Sequence, residues 1–503
     1  MSTTNLSLPT GGSVAVRTGI FINNEWRSSS SGESFNIYDP TNNQPLASIS
    51  HASLQDVDDT VHSAKRAFQT TWGTQIPSSE RARIMFKLAD LMERDTEKLA
   101  ALESLNTGKG IRIARGYDVP EAIACLRYYA GLADKTHGQV MDHLGPQALV
   151  YTMKQPYPIC GQIIPWNYPI MMWAWKVSPA LAAGCCVLVK PSELTPLTAL
   201  ALCDLAIEAG LPGGVLNTLP GLGSSTGEAI TRHMGVDKIS FTGSVSTGRR
   251  ILVASAETNL KSVSLELGGK SPIIIFPNVD LEEASKWVAM GIWGNSGQDC
   301  TAGSRVYIHE SVFDIFLEKM CARAKELIVG MPYDEKTNFG PLISKAQQTK
   351  VLDYISGARE EGARVVYGGT DRCEYPEGCW VLPTIITDVT TDMRVIKEEI
   401  FGPVLCIAPF SSEKQALTLA NDSSVGLAAG IFTSDHSQAM RMSANLEAGT
   451  VWVNQYALTS NGAPFGGWKS SGWGKDLGME GIEEYLRVKA VHHNFGSKAP
   501  WPL

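Results

Sequence analysis

Positive charge is in short supply: Lys and Arg number 43 against 51 Asp and Glu, a formal net charge of −8. No stretch gathers the basic residues into a patch, so the footprint of a nucleic-acid binder is missing. Cysteine is also sparse, ten residues in 503, scattered without a Cys-x-x-Cys pair or a Cys/His cluster at ligand spacing. That excludes a zinc site, any other metal centre of this type and a disulfide scaffold, and predicts reduced thiols in a cytoplasmic setting. Long apolar runs are absent as well. The longest, 170–189, is interrupted by Lys176 and Pro179, which argues against a membrane span. The first twenty residues are rich in Ser, Thr and Gly and lack the basic and apolar regions of a secretory leader. The ending Trp501-Pro502-Leu503 is not a peroxisomal address. The chain contains no internal repeat and no low-complexity tract.

What is present is ordinary globular material, 44% apolar and 19% charged, in a chain too long for one core; two or three domains are expected. Residues 1–18 read as a flexible arm. Helical periodicity with charged faces runs through 54–72, 78–105 and 118–135. From 161 to 270 short β-branched runs alternate with helices at 196–209, 225–233 and 246–257, the pattern of a doubly wound parallel sheet whose ligands sit at the C-terminal strand ends. A second α/β series runs from Ser271 to about 470, with helices near 279–295, 310–328, 344–362 and 413–421. Two strand-like segments, 138–159 and 483–496, belong to neither series.

The chemistry concentrates at few places. Gly294-Asn295-Ser296-Gly297-Gln298-Asp299-Cys300-Thr301-Ala302-Gly303 sets a lone Cys in a turn of small residues, open enough for an attacking thiol. In Leu265-Glu266-Leu267-Gly268-Gly269-Lys270 a carboxylate stands between leucines at the end of a strand-like run, where partial desolvation raises its pKa toward that of a base. Gly161-Gln162-Ile163-Ile164-Pro165-Trp166-Asn167-Tyr168-Pro169 brings the Asn167 amide onto a Pro-bounded turn, a donor suited to a developing oxyanion.

Gly243-Ser244-Val245-Ser246-Thr247-Gly248 superficially matches a P-loop, but Arg249-Arg250 replace the Lys-Ser/Thr pair that reaches phosphate and Mg²⁺. A strand feeding a helix whose free N–H groups and Ser244 hydroxyl hold a pyrophosphate is the better reading. Lys190-Pro191-Ser192-Glu193 ends another strand with an ammonium and a carboxylate close enough to hold ribose hydroxyls. Pro220-Gly221-Leu222-Gly223-Ser224-Ser225-Thr226-Gly227 has too long a gap for G-x-G-x-x-G; a plain turn and a cofactor loop both remain open.

These segments, with Phe241-Thr242-Gly243-Ser244, Glu399-Ile400-Phe401-Gly402-Pro403 and Pro464-Phe465-Gly466-Gly467, resemble the signature set of the NAD(P)-dependent aldehyde dehydrogenase superfamily in order and spacing, from about residue 20 to 495. The resemblance implies an α/β fold with a doubly wound cofactor domain (1–137 and 160–270), an α/β catalytic domain (271–470) and a β oligomerisation arm (138–159 and 483–503) that builds a dimer or tetramer. It implies Cys300 as nucleophile, Asn167 and the Cys300 backbone N–H as oxyanion donors and Glu266 as the base that hydrolyses the thioester. Lys190, Glu193, Gly223, Gly243, Ser244, Gly248, Glu399 and Phe401 would hold NAD. Glu193 would repel a 2′-phosphate, leaving NADP a weaker substitute. Acylating relatives that pass the acyl group to CoA lack a Glu at this position, so Glu266 implies a free acid product.

The same resemblance places Asp118, Glu121, Tyr168, Met172, Trp175, Asp299 and Phe465 around the substrate. Asp118 with Glu121, and the string around Asp299, are similar to aminoaldehyde (4-aminobutyraldehyde and betaine aldehyde) dehydrogenases, in which acids and aromatic rings hold an ammonium. Gly294 and Phe465 depart from the plant members, which carry an aromatic residue and a Trp there. An ω-aminoaldehyde substrate is therefore expected, with a broad aliphatic or aromatic aldehyde dehydrogenase as the alternative and a catalytically idle relative as a remote one.

Overall fold

Strands such as Cys186–Lys190 are apolar on both faces, which suits only a parallel sheet covered by helices on each side. The computed structural model, which describes residues 3–8, 12–141, 147–370, 375 and 377–499, buries every residue of that strand. It is one of eight strands in the order Gly472–Trp473, Ser262–Leu267, Lys238–Gly243, Ile159–Ile163, Cys186–Lys190, Leu216–Thr218, Ile20–Ile22 and Glu25–Arg27. The strands from Ser262–Leu267 to Leu216–Thr218 are parallel. From Ile159–Ile163 the chain winds first toward Cys186–Lys190, then returns to the other side at Lys238–Gly243. That reversal opens a crevice at the C-terminal strand ends, between Ile163 and Phe241.

A short linker after Leu267 carries the chain straight into a seven-stranded sheet, Arg364–Tyr367, Thr384–Thr387, Val404–Phe410, Arg305–His309, Pro272–Ile275, Ala428–Phe432 and Thr450–Val453. Only its Arg364–Tyr367 strand runs antiparallel. The hand-off from sheet to sheet puts Glu266, Gly268 and Gly269 at the seam.

The expected helices and strands form, with instructive differences. Within the segment expected to be a flexible arm, the described residues pair: Thr3–Ser7 lies antiparallel on Ser13–Arg17. Leu6, Val14 and Val16 are buried in a cluster with Leu102, Leu105, Leu197 and Leu200. Fully burying such side chains stabilises by about 1.5–3 kcal/mol each, enough to order a short segment. The helix expected over 78–105 is two, Ser78–Arg94 and Thr96–Thr107. The break falls at Asp95, whose carboxylate holds the Arg94 guanidinium 2.7 Å away. Residues 225–233 begin as a wide π-turn over Gly223–Gly227 before the short helix Glu228–Arg232.

The two leftover segments pair. Leu486–Asn494 lies antiparallel on Ala148–Pro156, with Val140–Met141 beyond it. The expected boundaries of this arm extend over 142–146 and 500–503, and the Trp501-Pro502-Leu503 tripeptide likewise lies outside the described residues. Among the described residues, no helix is long and apolar enough to cross a membrane.

Candidate active site

Two cavities meet over the crevice. One, of about 550 Å³, is walled by Asn167, Glu266, Cys300, Glu399 and Phe401. The other, of about 530 Å³, is walled by Lys190, Glu193 and Gly223. Pro165, Trp166, Thr242 and Gly243 face both, so a long ligand can thread from one to the other.

The loop carrying Cys300 leaves the helix Leu281–Trp293 through left-handed backbone at Asn295 (φ 49°), Ser296 (φ 54°) and Gly297 (φ 72°). Each such non-glycine residue costs on the order of 1–3 kcal/mol, and tertiary contacts hold them there. Ser296 Oγ donates to the Gly340 carbonyl at 2.7 Å. A Cβ at Gly297 would lie 2.2 Å from the Gly402 oxygen, and one at Gly269 2.5 Å from the Cys300 oxygen. Glycine at both places lets three loops close around the thiol.

Burial pushes the Cys300 thiol well above its usual range, and the Asp299, Glu399 and Glu266 carboxylates add to the effect. The thiol is therefore protonated at rest and needs a base. Glu266 sits in the same wall, and neither of its buried carboxylate oxygens has a hydrogen-bond partner. Burial raises its pKa well above the ordinary carboxylate range, Asp476 raises it further, and Lys176 and Lys475 oppose. Lys176 Nζ and Asp476 form a buried ion pair at 2.7 Å behind it. An unpartnered carboxyl with a raised pKa, open to a cavity, is a proton acceptor in waiting.

Asn167 Nδ2 donates to the Gln298 carbonyl at 3.0 Å and faces the cavity. On the far side, Glu399 takes the Gly269 N–H at 3.2 Å, and burial lifts its pKa to about 7 despite the Lys350 ammonium. Gly268 has no room for a Cβ, which would meet the Glu399 carboxylate at 2.2 Å. Phe401, held at φ 60°, packs edge-on against Trp166 at 5.1 Å.

In the second cleft Lys190 Nζ pairs with Glu193 at 2.7 Å. Burial pushes the Glu193 carboxyl up, but the Lys190 ammonium and its hydrogen bond more than offset this and keep it ionised. Ser244, which faces the first cavity rather than the second, is the N-cap of the helix Val245–Glu257, its hydroxyl taking the Thr247 N–H at 3.3 Å. Gly248 is a correction: it does not face the cleft but lies against Leu267, where a Cβ would come within 2.8 Å of that side chain. It allows close packing of helix on strand.

Tyr168, Met172, Trp175, Asp299 and Phe465 all face the first cavity, with the Trp175 and Phe465 rings edge to face at 5.1 Å. The other acids do not behave as expected. Asp118 is fully buried and ion-paired to Lys109, whose ammonium also sits 4.0 Å over the Tyr168 ring. Glu121, half-buried on the helix Val119–Leu132, is outside the cavity wall. Asp299 is committed too: Oδ1 takes the Thr301 N–H and hydroxyl at 2.6 and 2.7 Å, and Oδ2 takes the Tyr168 hydroxyl at 2.9 Å. Of these three acids, none presents a free carboxylate to the first cavity.

Sequence reasoning passed over Thr242, whose buried hydroxyl at the meeting of the cavities has no partner. It also passed over Lys350 and Gln347, which line the wall beside Glu399, because a Lys and a Gln on a helix face read as solvated.

The aldehyde dehydrogenase family model matches residues 26–491. The chain belongs to the aldehyde dehydrogenase family. It is an enzyme that oxidises aldehydes. An aldehyde dehydrogenase of Emericella nidulans is 46% identical over 95% of each chain. An indole-3-acetaldehyde dehydrogenase of P. syringae, solved with NAD+ and IAA, superposes with a TM-score of 0.94 at 38% identity, covering 96% of this chain and 97% of that one. The betaine aldehyde dehydrogenase of Staphylococcus aureus, solved with NAD+, gives 0.94 at 37% identity over 97% and 96%.

Proposed function

We propose that this aldehyde dehydrogenase uses NAD to convert uncharged aliphatic or aromatic aldehydes to carboxylic acids through a thioester on Cys300. The observation carrying the mechanism is the buried, unpartnered Glu266 carboxyl sharing one cavity with Cys300 and Asn167. Residues around the joined cavities fit the dinucleotide that the related structures hold. The Lys190–Glu193 pair suits ribose hydroxyls, the free N–H groups at Ser244 suit a pyrophosphate, and Glu399 beside Cys300 suits the second ribose. When bound, NAD supplies the hydride acceptor.

The chain's own residues do the rest. Glu266 takes the Cys300 proton, and Sγ attacks the carbonyl carbon, forming the S–C bond. The oxyanion accepts hydrogen bonds from Asn167 Nδ2 and the Cys300 backbone N–H. Once the adduct carbon has lost its hydride to give the thioester and Glu266 has passed the Cys300 proton to solvent, Glu266 takes a proton from water, the hydroxide adds to the acyl carbon, and the C–S bond breaks to release the acid and the Cys300 thiolate. In this reading 1–137 with 160–270 is the cofactor domain and 271–470 the catalytic one. The Gly472–Trp473 strand adds an edge to the first sheet.

Substrate choice follows from the wall beyond Cys300: Tyr117, Met171, Met172, Trp175, Met290, Leu458 and Phe465, with Asp299 already hydrogen-bonded. An ammonium would lose water there without a free carboxylate in return. Hexanal and phenylacetaldehyde are expected to exceed 4-aminobutyraldehyde at least about tenfold in kcat/KM, the factor that 1.4 kcal/mol represents. NAD is expected to outperform NADP because the ionised Glu193 in this cleft would repel a 2′-phosphate on a ribose held there. The second reading, an ω-aminoaldehyde, rests on Asp299 standing among Tyr168, Trp175 and Phe465. It prevails if 4-aminobutyraldehyde is preferred and loses that preference in Asp299→Asn and at high salt.

The three-stranded arm exposes Val488 (67%) and Phe495 (57%) around its outer strand. An edge strand without a neighbour among the described residues invites strand addition, and a second copy of this chain is the partner we assign to it. Light scattering should then give a dimer or tetramer, and Val488→Lys should shift it toward monomer. A monomeric parent protein overturns the assignment.

A further inference from the structure

The oxyanion donor is useful only if its free N–H points at one place. Asn167 Nδ2 carries two hydrogens. One is tied to the Gln298 carbonyl at 3.0 Å, and no other partner among the described residues takes the second. Because the amide is planar, fixing the first N–H fixes the direction of the second, provided that the Gln298 carbonyl and the Asn167 backbone stay in register. They belong to different sheets' loops, 131 residues apart in the chain.

One side chain ties them together. Asn295 Nδ2 donates to the Asn167 backbone carbonyl at 2.9 Å and to the Gln298 carbonyl at 3.1 Å. Gln298 is held from the other side, since its side chain donates to the Asn295 carbonyl at 3.2 Å and accepts the Ile343 N–H at 2.8 Å. Asn295 reaches both acceptors from left-handed backbone, φ 49° and ψ 32°, a conformation that Asn tolerates better than most residues.

We propose that Asn295 is the positioning residue of the oxyanion site, clamping the Asn167 turn to the nucleophile loop so that the free Asn167 N–H meets the oxygen of the Cys300 adduct. The inference rests on the oxyanion role read for Asn167 above. Asn295 itself touches no reacting atom in this scheme.

The test compares chemistry that builds an oxyanion with chemistry that does not. Aldehyde oxidation and p-nitrophenyl acetate hydrolysis both need the donor; alkylation of Cys300 by iodoacetamide, a displacement at saturated carbon, does not. Asn295→Asp keeps the shape and sets a carboxylate against two carbonyl oxygens. Asn295→Gly keeps the left-handed backbone and removes the amide. Both should lower kcat for aldehyde and ester at least about tenfold, within the roughly hundredfold that misplacement by an ångström costs, with the iodoacetamide rate within about twofold of the parent by the same argument. KM for NAD should not move.

Unchanged acyl chemistry in both variants overturns the proposal. So does a parallel fall in alkylation, or failure of both variants to yield soluble protein, since either marks a general structural role. Asn167→Ala separates the underlying reading. If its aldehyde and ester rates stay near the parent's, Asn167 is not the donor; if they collapse while the Asn295 variants are normal, only the clamp fails.

Discussion

Cys300→Ala should show no aldehyde-dependent rise in NADH absorbance, a loss of at least about 10³-fold, comparable with the removal of other catalytic nucleophiles. The argument is local. Small residues surround the thiol, the Gly269 and Gly297 contacts hold its loop, and Cys300 faces the same cavity as the proposed base and donor. The Lys190–Glu193 pair proposed to hold a ribose lies in the other cleft, to which Cys300 contributes nothing. NAD titration, read from quenching of Trp166 between the cavities, should therefore match the parent. Residual turnover above about 1% of the parent rate, far more than removal of a nucleophile leaves, would take the nucleophile role from Cys300. Lost NAD affinity would instead mean that the substitution disturbed the seam between the sheets.

The motifs were legible because backbone crowding dictates them. Gly268, Gly269 and Gly297 have neighbours where a Cβ would go, so the tightly packed loops carrying Cys300 and Glu266 could be picked out from glycine and a single reactive residue. The alternation of β-branched runs and helices gave the winding of the first sheet for the same reason: strands buried on both faces leave few alternatives. Charge was less legible. Asp118 reads as an exposed acid until the π-turn Ala114–Asp118 brings it onto Lys109, and a Lys between glycines gives no hint of burial. The N-terminal hairpin was hidden differently: Ser13-Val14-Ala15-Val16-Arg17 alternates as a strand should, but the surrounding Ser, Thr and Gly swamp a pattern of so few residues. Asn295 looked like any turn residue, since its use depends on where two distant carbonyls end up.

Glu266→Gln should release one equivalent of NADH per active site, in a phase slowed because the amide cannot take the Cys300 proton, and then stall, with the steady rate down at least about 10²-fold, at the low end of what a positioned general base contributes. The amide keeps the shape of the carboxyl but cannot accept a proton from water, so the thioester accumulates. In the proposed mechanism Glu266 acts as a base only when ionised, and its pKa is raised by burial and by Asp476. Deacylation should therefore speed up as pH rises through the folded-state value, and Gln should flatten that limb. The linkage runs the other way for stability. The folded protein holds the Glu266 proton more tightly than the unfolded chain does, so the associated stability is full below the unfolded carboxyl pKa and is lost as pH rises through the folded one. The fall in Tm toward alkaline pH should be shallower in Glu266→Gln. A normal steady state would remove Glu266 from deacylation. A missing burst together with slow iodoacetamide alkylation would show that its main service is to deprotonate Cys300, and the water would then need another base, a part that Asp476 in the same wall could take only by giving up its ion pair with Lys176.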